Sequence, residues 1–276
     1  MEILQQKSLK NYWKNFFQDW RLIYKMVAFL ILFIFFMVGI VFGVFIEYWY
    51  VNPNDVNHAL ISLPRLYNLN VLTSFWSVQT NFLALLYFFF AILYHGNEQK
   101  NKFTNFTTQI SITIYITVTF LLFWILIFFA RIKSEGSYPF ASEIDKVVTI
   151  AMHAITPLLP LVYVISCLGK IKITYQDFFL KKVWWMLSYP VGYLIFLNLR
   201  ASLLYADGIK RGWFLFPYPF VNFYQPKLPL PLIWNNIVLV LLGIGLLGGI
   251  NLIILVLNNL VFKKTKGQGF WKNNFS

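Results

Sequence analysis

A few polar side chains stand inside long apolar stretches of this sequence, where groups that can do chemistry are costly to keep. Ser77, Thr80 and Asn81 fall in the segment "SFWSVQTNFLALL" at a spacing that places them on one face of a helix. His153 falls in "VVTIAMHAITPLLP". An imidazole at lipid depth needs a partner and often marks a proton or ligand site.

A third apolar stretch carries Tyr193 and Arg200, which add a phenol and a fixed positive charge. At about 1.5 Å of rise per residue, the hydroxyls, the imidazole and the guanidinium all fall roughly 8 to 12 Å from the same end of their helices. Pro157 and Pro160 follow the imidazole and can bend its helix and release backbone carbonyls. The pattern predicts one polar layer shared by three helices.

Each of these side chains also has a structural interpretation. Serine and threonine in membrane helices usually bond to the carbonyl four residues earlier or to a neighbouring helix. His153 could tie two helices together, and Arg200 could extend to the surface or pair with Glu47 or Asp207. The residues alone leave both interpretations open.

The helices that must position these side chains are predicted to span a membrane. Of the 276 residues, 59% are hydrophobic and only 12% are charged, whereas soluble domains have about 25% charged residues. The single Cys167 excludes an intrachain disulfide. Apolar runs near the length that crosses ~30 Å of hydrocarbon occur at residues 27–46, 72–94, 110–132, 147–168, 183–205 and 233–262. The predicted fold class is an all-α polytopic membrane protein with six transmembrane helices.

The charge distribution predicts how these helices are oriented. With the N-terminus inside, the inner segments carry fifteen Lys and Arg residues and the outer loops seven, which favours cytoplasmic termini in a multi-pass protein of the cell membrane. Residues 1–26 are predicted to form a cytoplasmic, interfacial amphipathic segment, with Arg21 and Lys25 on its polar face. Residues 27–262 form the six-helix domain, and 263–276 a basic polar tail.

Three smaller features complete the prediction. The loop at about 206–232 contains "FPYPFVNFYQPKLPLP" and should form a stiff cap at the outer interface. Gly245 and Gly249 form a small-xxx-small pair that predicts close approach of a neighbouring helix. His58 and His95 are expected at solvated loop or interface positions.

Four short motifs occur in a consistent order: "FWSVQTN", "HAITP", "YPVGY" and "FPYPF". Together they resemble the androgen-induced and androgen-dependent integral membrane protein superfamily, including its bacterial six-helix relatives. Eukaryotic members hydrolyse fatty acid esters of hydroxy fatty acids, with an intramembrane threonine as proposed nucleophile and a histidine on another helix. The resemblance implies His153, with Pro157, as that histidine. The nucleophile position falls on Ser77, while the only threonine on that face is Thr80.

A hydroxyl becomes a useful nucleophile when a base takes its proton, and neutral His153 could do this and later protonate the leaving alkoxide. Candidate donors to the oxyanion, chosen by depth, are Asn81, Tyr193 and Arg200. The predicted function is therefore intramembrane hydrolysis of fatty acyl esters, with membrane lipids or an acyl ester as the partner. No cofactor, metal or nucleic acid is expected, and the oligomeric state is left open. A small-molecule or lipid transporter and a non-catalytic membrane scaffold are the alternatives.

Overall fold

The structure is a computed structural model that describes residues 19–50, 63–128, 140–209, 215–218, 221–222, 224 and 228–267. Its described residues form helices and no strands. The helices are α1 (Trp20–Ile46), α2 (Pro64–Ser74), α3 (Trp76–Leu93), α4 (Phe106–Ile125), α5 (Glu143–Cys167), α6 (Tyr175–Ala206) and α7 (Leu232–Thr265). All except α2 are long and apolar enough to cross a membrane, so the predicted all-α, six-span class is confirmed.

The first helix starts earlier than the first predicted span. It begins at Trp20, where the Asp19 carboxylate accepts a hydrogen bond from the Arg21 amide at 3.0 Å and caps the helix. Residues 1–18, which hold most of the predicted amphipathic segment, lie outside the described residues. The part of that segment that is described continues directly into α1.

A break at Phe75 interrupts the second predicted span and separates α2 from α3. Phe75 is extended, with φ −71° and ψ 130°. Side chains satisfy the carbonyls that the break frees, because Gln79 Nε2 donates to the Thr73 carbonyl at 2.8 Å and Tyr193 Oη donates to the Ser74 carbonyl at 3.0 Å. The span therefore begins at Trp76 and not at residue 72.

Helix α4 lies at the centre of the bundle and is the most buried of the spans. Helices α3, α5, α6 and α7 pack against it, and α1 packs chiefly on α3. Helix α7 contacts α4 mainly through its second half, where Ile254 and Leu255 are buried. Asn258 fixes this end, because its Oδ1 accepts from the Gly169 amide and its Nδ2 donates to the Ile171 carbonyl, both at 2.9 Å.

The small-residue pair of α7 is open. A Cβ built on Gly245 or on Gly249 would meet no heavy atom within 4 Å. No described helix of this chain therefore approaches either glycine closely, contrary to the predicted packing within the chain.

A cluster of charges lies at the end of the bundle where α1 begins and α3 ends. We call Asp19, Lys25, His95 and Glu98 the charged cluster. Lys25 Nζ donates to the Ala91 carbonyl at 3.0 Å, forms an ion pair with Glu98 and lies 2.8 Å from His95 Nδ1. His95 Nε2 lies 2.8 Å from Asp19 Oδ2.

The charged cluster corrects two predictions. Lys25 is fully buried and does not lie on a polar interfacial face. His95 is half-buried between carboxylates and an ammonium, so its predicted solvated position is wrong. His58 lies outside the described residues. The residues from α1 and the α3–α4 connection meet only in three dimensions, and this explains why sequence spacing did not reveal them.

Candidate functional site

A cavity of about 470 Å³ lies in the opposite half of the bundle. Its walls come from α3, α4, α5, α6 and α7 and are almost entirely apolar. The few polar side chains in its lining are Ser77, Thr119, His153, Tyr193 and Tyr218. An apolar cavity of this size with a few convergent polar groups is typical of a ligand site, for which volumes of about 300–1,000 Å³ are usual.

Of the two hydroxyls proposed as nucleophile, only Ser77 lines the cavity. It is the second residue of α3, directly after the break at Phe75. Its Oγ makes no hydrogen bond with a described residue. Thr80, in contrast, is fully buried, and its hydroxyl is engaged with the Ser77 carbonyl at 3.1 Å and Thr119 Oγ1 at 2.8 Å.

His153 lines the same cavity as Ser77 and has a defined ring orientation. Its Nδ1 donates to the Thr149 carbonyl at 2.6 Å, and its ring stacks on Phe123 with centroids 4.0 Å apart. Because the carbonyl can only accept, Nδ1 carries the proton, and the Nε2 lone pair of the neutral ring is available. Within the described part of the chain, no hydrogen bond joins His153 to Ser77 or to Thr80.

The backbone around His153 departs from regular α-helix because of the prolines that follow it. Residues Ala151–Ile155 form a π-helical turn, and such turns are frequent at functional sites. Pro157 has no N–H to offer the His153 carbonyl, which accepts instead from Trp124 Nε1 at 2.9 Å. The released carbonyl thus ties the His153 turn to α4.

The sequence analysis missed a ladder of side chains that leads to His153. Asp145, Thr149 and His153 are spaced four residues apart on α5 and lie on one helix face. Asp145 Oδ1 accepts from Thr149 Oγ1 at 3.0 Å, and the Thr149 carbonyl accepts from His153. The repeated i, i+4 spacing was the available signal. A carbonyl therefore orients the imidazole where a carboxylate had been sought.

Asn81 holds α3 to α5 and does not line the cavity. Its Nδ2 donates to the carbonyls of Ser77 at 2.8 Å and Met152 at 3.1 Å. Its Oδ1 accepts from Thr156 Oγ1 at 2.5 Å. Because these bonds engage both polar atoms, Asn81 positions the residues on either side of the cavity.

The other two predicted oxyanion donors are also engaged. Tyr193 lines the cavity, but its hydroxyl donates to the Ser74 carbonyl. Arg200 lies outside the lining and donates from Nε to Asn70 Oδ1 at 2.8 Å and from Nη1 to the Leu215 carbonyl at 2.9 Å. Its predicted pairing with Glu47 or Asp207 is absent among the described residues.

Backbone amides of the first turn of α3 supply donors that the prediction did not consider. Helix N-termini present unpaired N–H groups, and the break at Phe75 places such an end beside Ser77. The Ser77 amide lies 3.4 Å from Tyr218 Oη, at the long end of the hydrogen-bond range. Tyr218 and Val221 belong to the predicted cap and cover this end of the cavity.

In the described part of the chain, no group of three or more His, Cys, Asp or Glu side chains could hold a metal ion. Comparisons with protein-family models, with curated proteins and with solved structures found no match to this chain. The fold defines the chain as a polytopic α-helical membrane protein, and the case for its function rests on the cavity.

Proposed function

We propose that the protein hydrolyses fatty acyl esters within the membrane, with Ser77 as nucleophile and His153 as general base. One observation carries the proposal: Ser77 and His153 line the same apolar cavity, and neither Ser77 Oγ nor His153 Nε2 bonds to another described residue. The resemblance of the four sequence motifs to a family of lipid ester hydrolases points in the same direction.

In the proposed first step, His153 Nε2 takes the proton of Ser77 Oγ, directly or through one water, as the oxygen attacks the ester carbonyl. The tetrahedral oxyanion collapses, and the alkoxide leaves with the proton that His153 gives back. The acyl group remains on Ser77. Nδ1 keeps its bond to the Thr149 carbonyl throughout, so the ring keeps its orientation.

In the second step, a water molecule attacks the acyl ester while His153 Nε2 takes one of its protons. The Ser77 oxygen then leaves and recovers this proton from His153, and the products are a fatty acid and an alcohol. First-turn amides of α3 stabilise the negative charge in both steps, in place of the side chains first considered.

The surrounding apolar helices suit acyl chains as substrate, because they offer no competing polar contacts. By the distribution of Lys and Arg, the cavity lies on the extracytoplasmic side of the cell membrane and both termini are cytoplasmic. Membrane lipids or other acyl esters in that leaflet are the proposed substrates.

A panel of fatty acyl esters, tested on the purified protein, is the experiment. Hydrolysis should be lost in Ser77→Ala and in His153→Ala and kept in Thr80→Ala, which serves as the matched hydroxyl control. Equal activity in Ser77→Ala and the wild type would eliminate the site. Loss of activity in Thr80→Ala alone would move the nucleophile to Thr80.

A transporter is the second candidate, and the break between α2 and α3 favours it, since transporters often bind substrate at discontinuous helices. Against it, the half of the bundle opposite the cavity is closed by packed side chains, among them Leu32, Phe88 and Ile116. Liposome flux of fatty acids that is unchanged in Ser77→Ala, without ester hydrolysis by the wild type, would favour the transporter.

A further inference from the structure

The walls of the cavity differ in exposure from one side to the other. On the side formed by α3, α4 and α6, Ser77, Phe123 and Tyr193 are all at most 4% exposed. On the side where α6 faces α7, Val191 is 51% and Leu242 63% exposed, although both line the cavity. A side chain that borders the cavity and the protein surface together marks an opening between them.

The opening follows from how α7 is held. Helix α7 packs on α4 and is clamped by Asn258 in its second half. Its first half contributes Leu239, Val240 and Gly243 to the cavity wall. Residues of α6 between Leu187 and Leu194 form the facing wall. The two helices therefore diverge from the clamped end and leave a lateral gap at the depth of the cavity.

From this geometry we infer that α6 and α7 form a lateral portal through which one acyl chain enters the cavity directly from the lipid. The inference rests on the proposed function for the fate of the ester, but the entry route rests on the gap alone. Val191, Leu242 and Ile244 rim the portal, and all are apolar. At mid-span depth the outside of this rim faces hydrocarbon, so an acyl chain crosses it without desolvating a polar group.

The cavity also explains which part of the lipid would enter. Its deep wall carries Ser77 and His153, and its mouth is purely apolar. Tyr218 and Val221 cover the end, which leaves the sideways route for a chain that remains in the leaflet. A bilayer lipid with a carbonyl near the polar layer is thus the occupant that fits, and a soluble ester would need to partition into lipid first.

Gly243 provides the means to close the portal. A Cβ built on it would meet no heavy atom within 4 Å, so a larger side chain can start from this position without displacing backbone. Gly245, two residues away, has equally open surroundings but lies outside the cavity lining. Gly243→Trp therefore blocks the mouth, and Gly245→Trp is its matched control. Val191→Trp blocks the mouth from the opposite helix.

The test uses full-length protein in phosphatidylcholine vesicles that contain a fatty acid with a photoreactive diazirine near the chain end. Adducts mapped by mass spectrometry should fall on cavity residues such as Trp76 and Leu122 in the wild type and equally in Ser77→Ala. Labelling of these residues should fall by about tenfold in Gly243→Trp and in Val191→Trp, because an indole fills the mouth, and stay unchanged in Gly245→Trp.

Undiminished cavity labelling in both blocked variants would overturn the portal. The outcomes for portal and enzyme are separable. Cavity labelling that the blocked variants lose, in a protein that cleaves no ester, keeps the portal and removes the proposed hydrolase. Ester hydrolysis that persists unchanged in both blocked variants keeps the hydrolase and removes the portal.

Discussion

The two halves of the bundle treat buried polar groups in opposite ways. In the charged cluster, every polar head is paired: Lys25 has a carbonyl, an imidazole and a carboxylate as neighbours, and His95 has a carboxylate on its far side. In the cavity, Ser77 Oγ and His153 Nε2 have no hydrogen-bond partner among the described residues.

The difference separates groups that hold the fold from groups that are available to a ligand. Burial of a charge is costly and is offset by partners, so a saturated cluster contributes to stability and has little left to offer a substrate. A hydroxyl and an imidazole left without partners contribute less to the fold and are free to react. Substitutions in the two regions should therefore act on different measurable quantities.

The largest expected effect is on catalysis, at the cavity. Changing His153 to Ala removes the general base, and kcat/KM for acyl ester hydrolysis should fall by about 10²–10⁴-fold. The midpoint of thermal unfolding in detergent should change little, because Nε2 bonds to no described residue. A variant that unfolds early but retains its kcat/KM would reverse the assignment of this region.

A change in the charged cluster should act on stability instead. Lys25→Met removes the ammonium and leaves Glu98 with one partner fewer, and the free energy of unfolding should fall on the order of 3 kcal/mol. Chemical denaturation in detergent measures this. Lys172→Met is the control, because Lys172 is exposed and should leave stability unchanged.

The double variant Lys25→Met with Glu98→Gln sharpens this prediction. Removing both charges avoids a lone carboxylate, so the double variant should be more stable than Lys25→Met alone. Strict additivity of the two single changes would show that the ion pair is not the source of the effect.

The charged cluster should also respond to acid. Burial alone would raise the pKa of Glu98, but hydrogen bonds from His95 and Lys25 outweigh it and lower the pKa to about 2. A lowered folded-state pKa gives stability that is complete above the ordinary value of 4.5 and is lost as the pH falls towards 2. Unfolding midpoints measured from pH 6 to pH 3 should decline, and Glu98→Gln should reduce the slope. A slope that Glu98→Gln leaves unchanged would locate the acid response elsewhere.

The smallest effect is expected at Thr80, which lies beside the cavity without lining it. Thr80→Val keeps the shape and loses the bond to Thr119, so stability should fall by about 1 kcal/mol. Turnover should stay close to the wild-type value. A loss of turnover comparable with that of Ser77→Ala would contradict the distinction between the two hydroxyls.

The amino-acid sequence predicts the spans well, because the length of an apolar run directly limits what can cross a bilayer. Sequence spacing could not choose between Ser77 and Thr80, since both fall on one helix face and the break at Phe75 decides which faces the cavity. Lys25 was misplaced for a related reason. Its partners come from the α3–α4 connection, and only the packing of α1 on α3 brings them together.

The oxyanion donors show a further limit. Depth along a helix selected Asn81, Tyr193 and Arg200, but depth gives no direction around the helix axis at an irregular backbone. Bonds to carbonyls freed by the helix break and to a connecting loop engage Tyr193 and Arg200. The distinction between an engaged donor and an available one exists only in the folded chain.

Covalent trapping of the nucleophile tests the central claim most directly. A lipid-soluble alkyl fluorophosphonate, incubated with the protein in vesicles and mapped by peptide mass spectrometry, should modify Ser77 in the wild type. The adduct should be absent from Ser77→Ala and strongly reduced in His153→Ala, while Thr80→Val still carries it. An adduct on another residue, or labelling of Ser77 that persists without His153, would contradict a hydroxyl and imidazole acting together in one cavity.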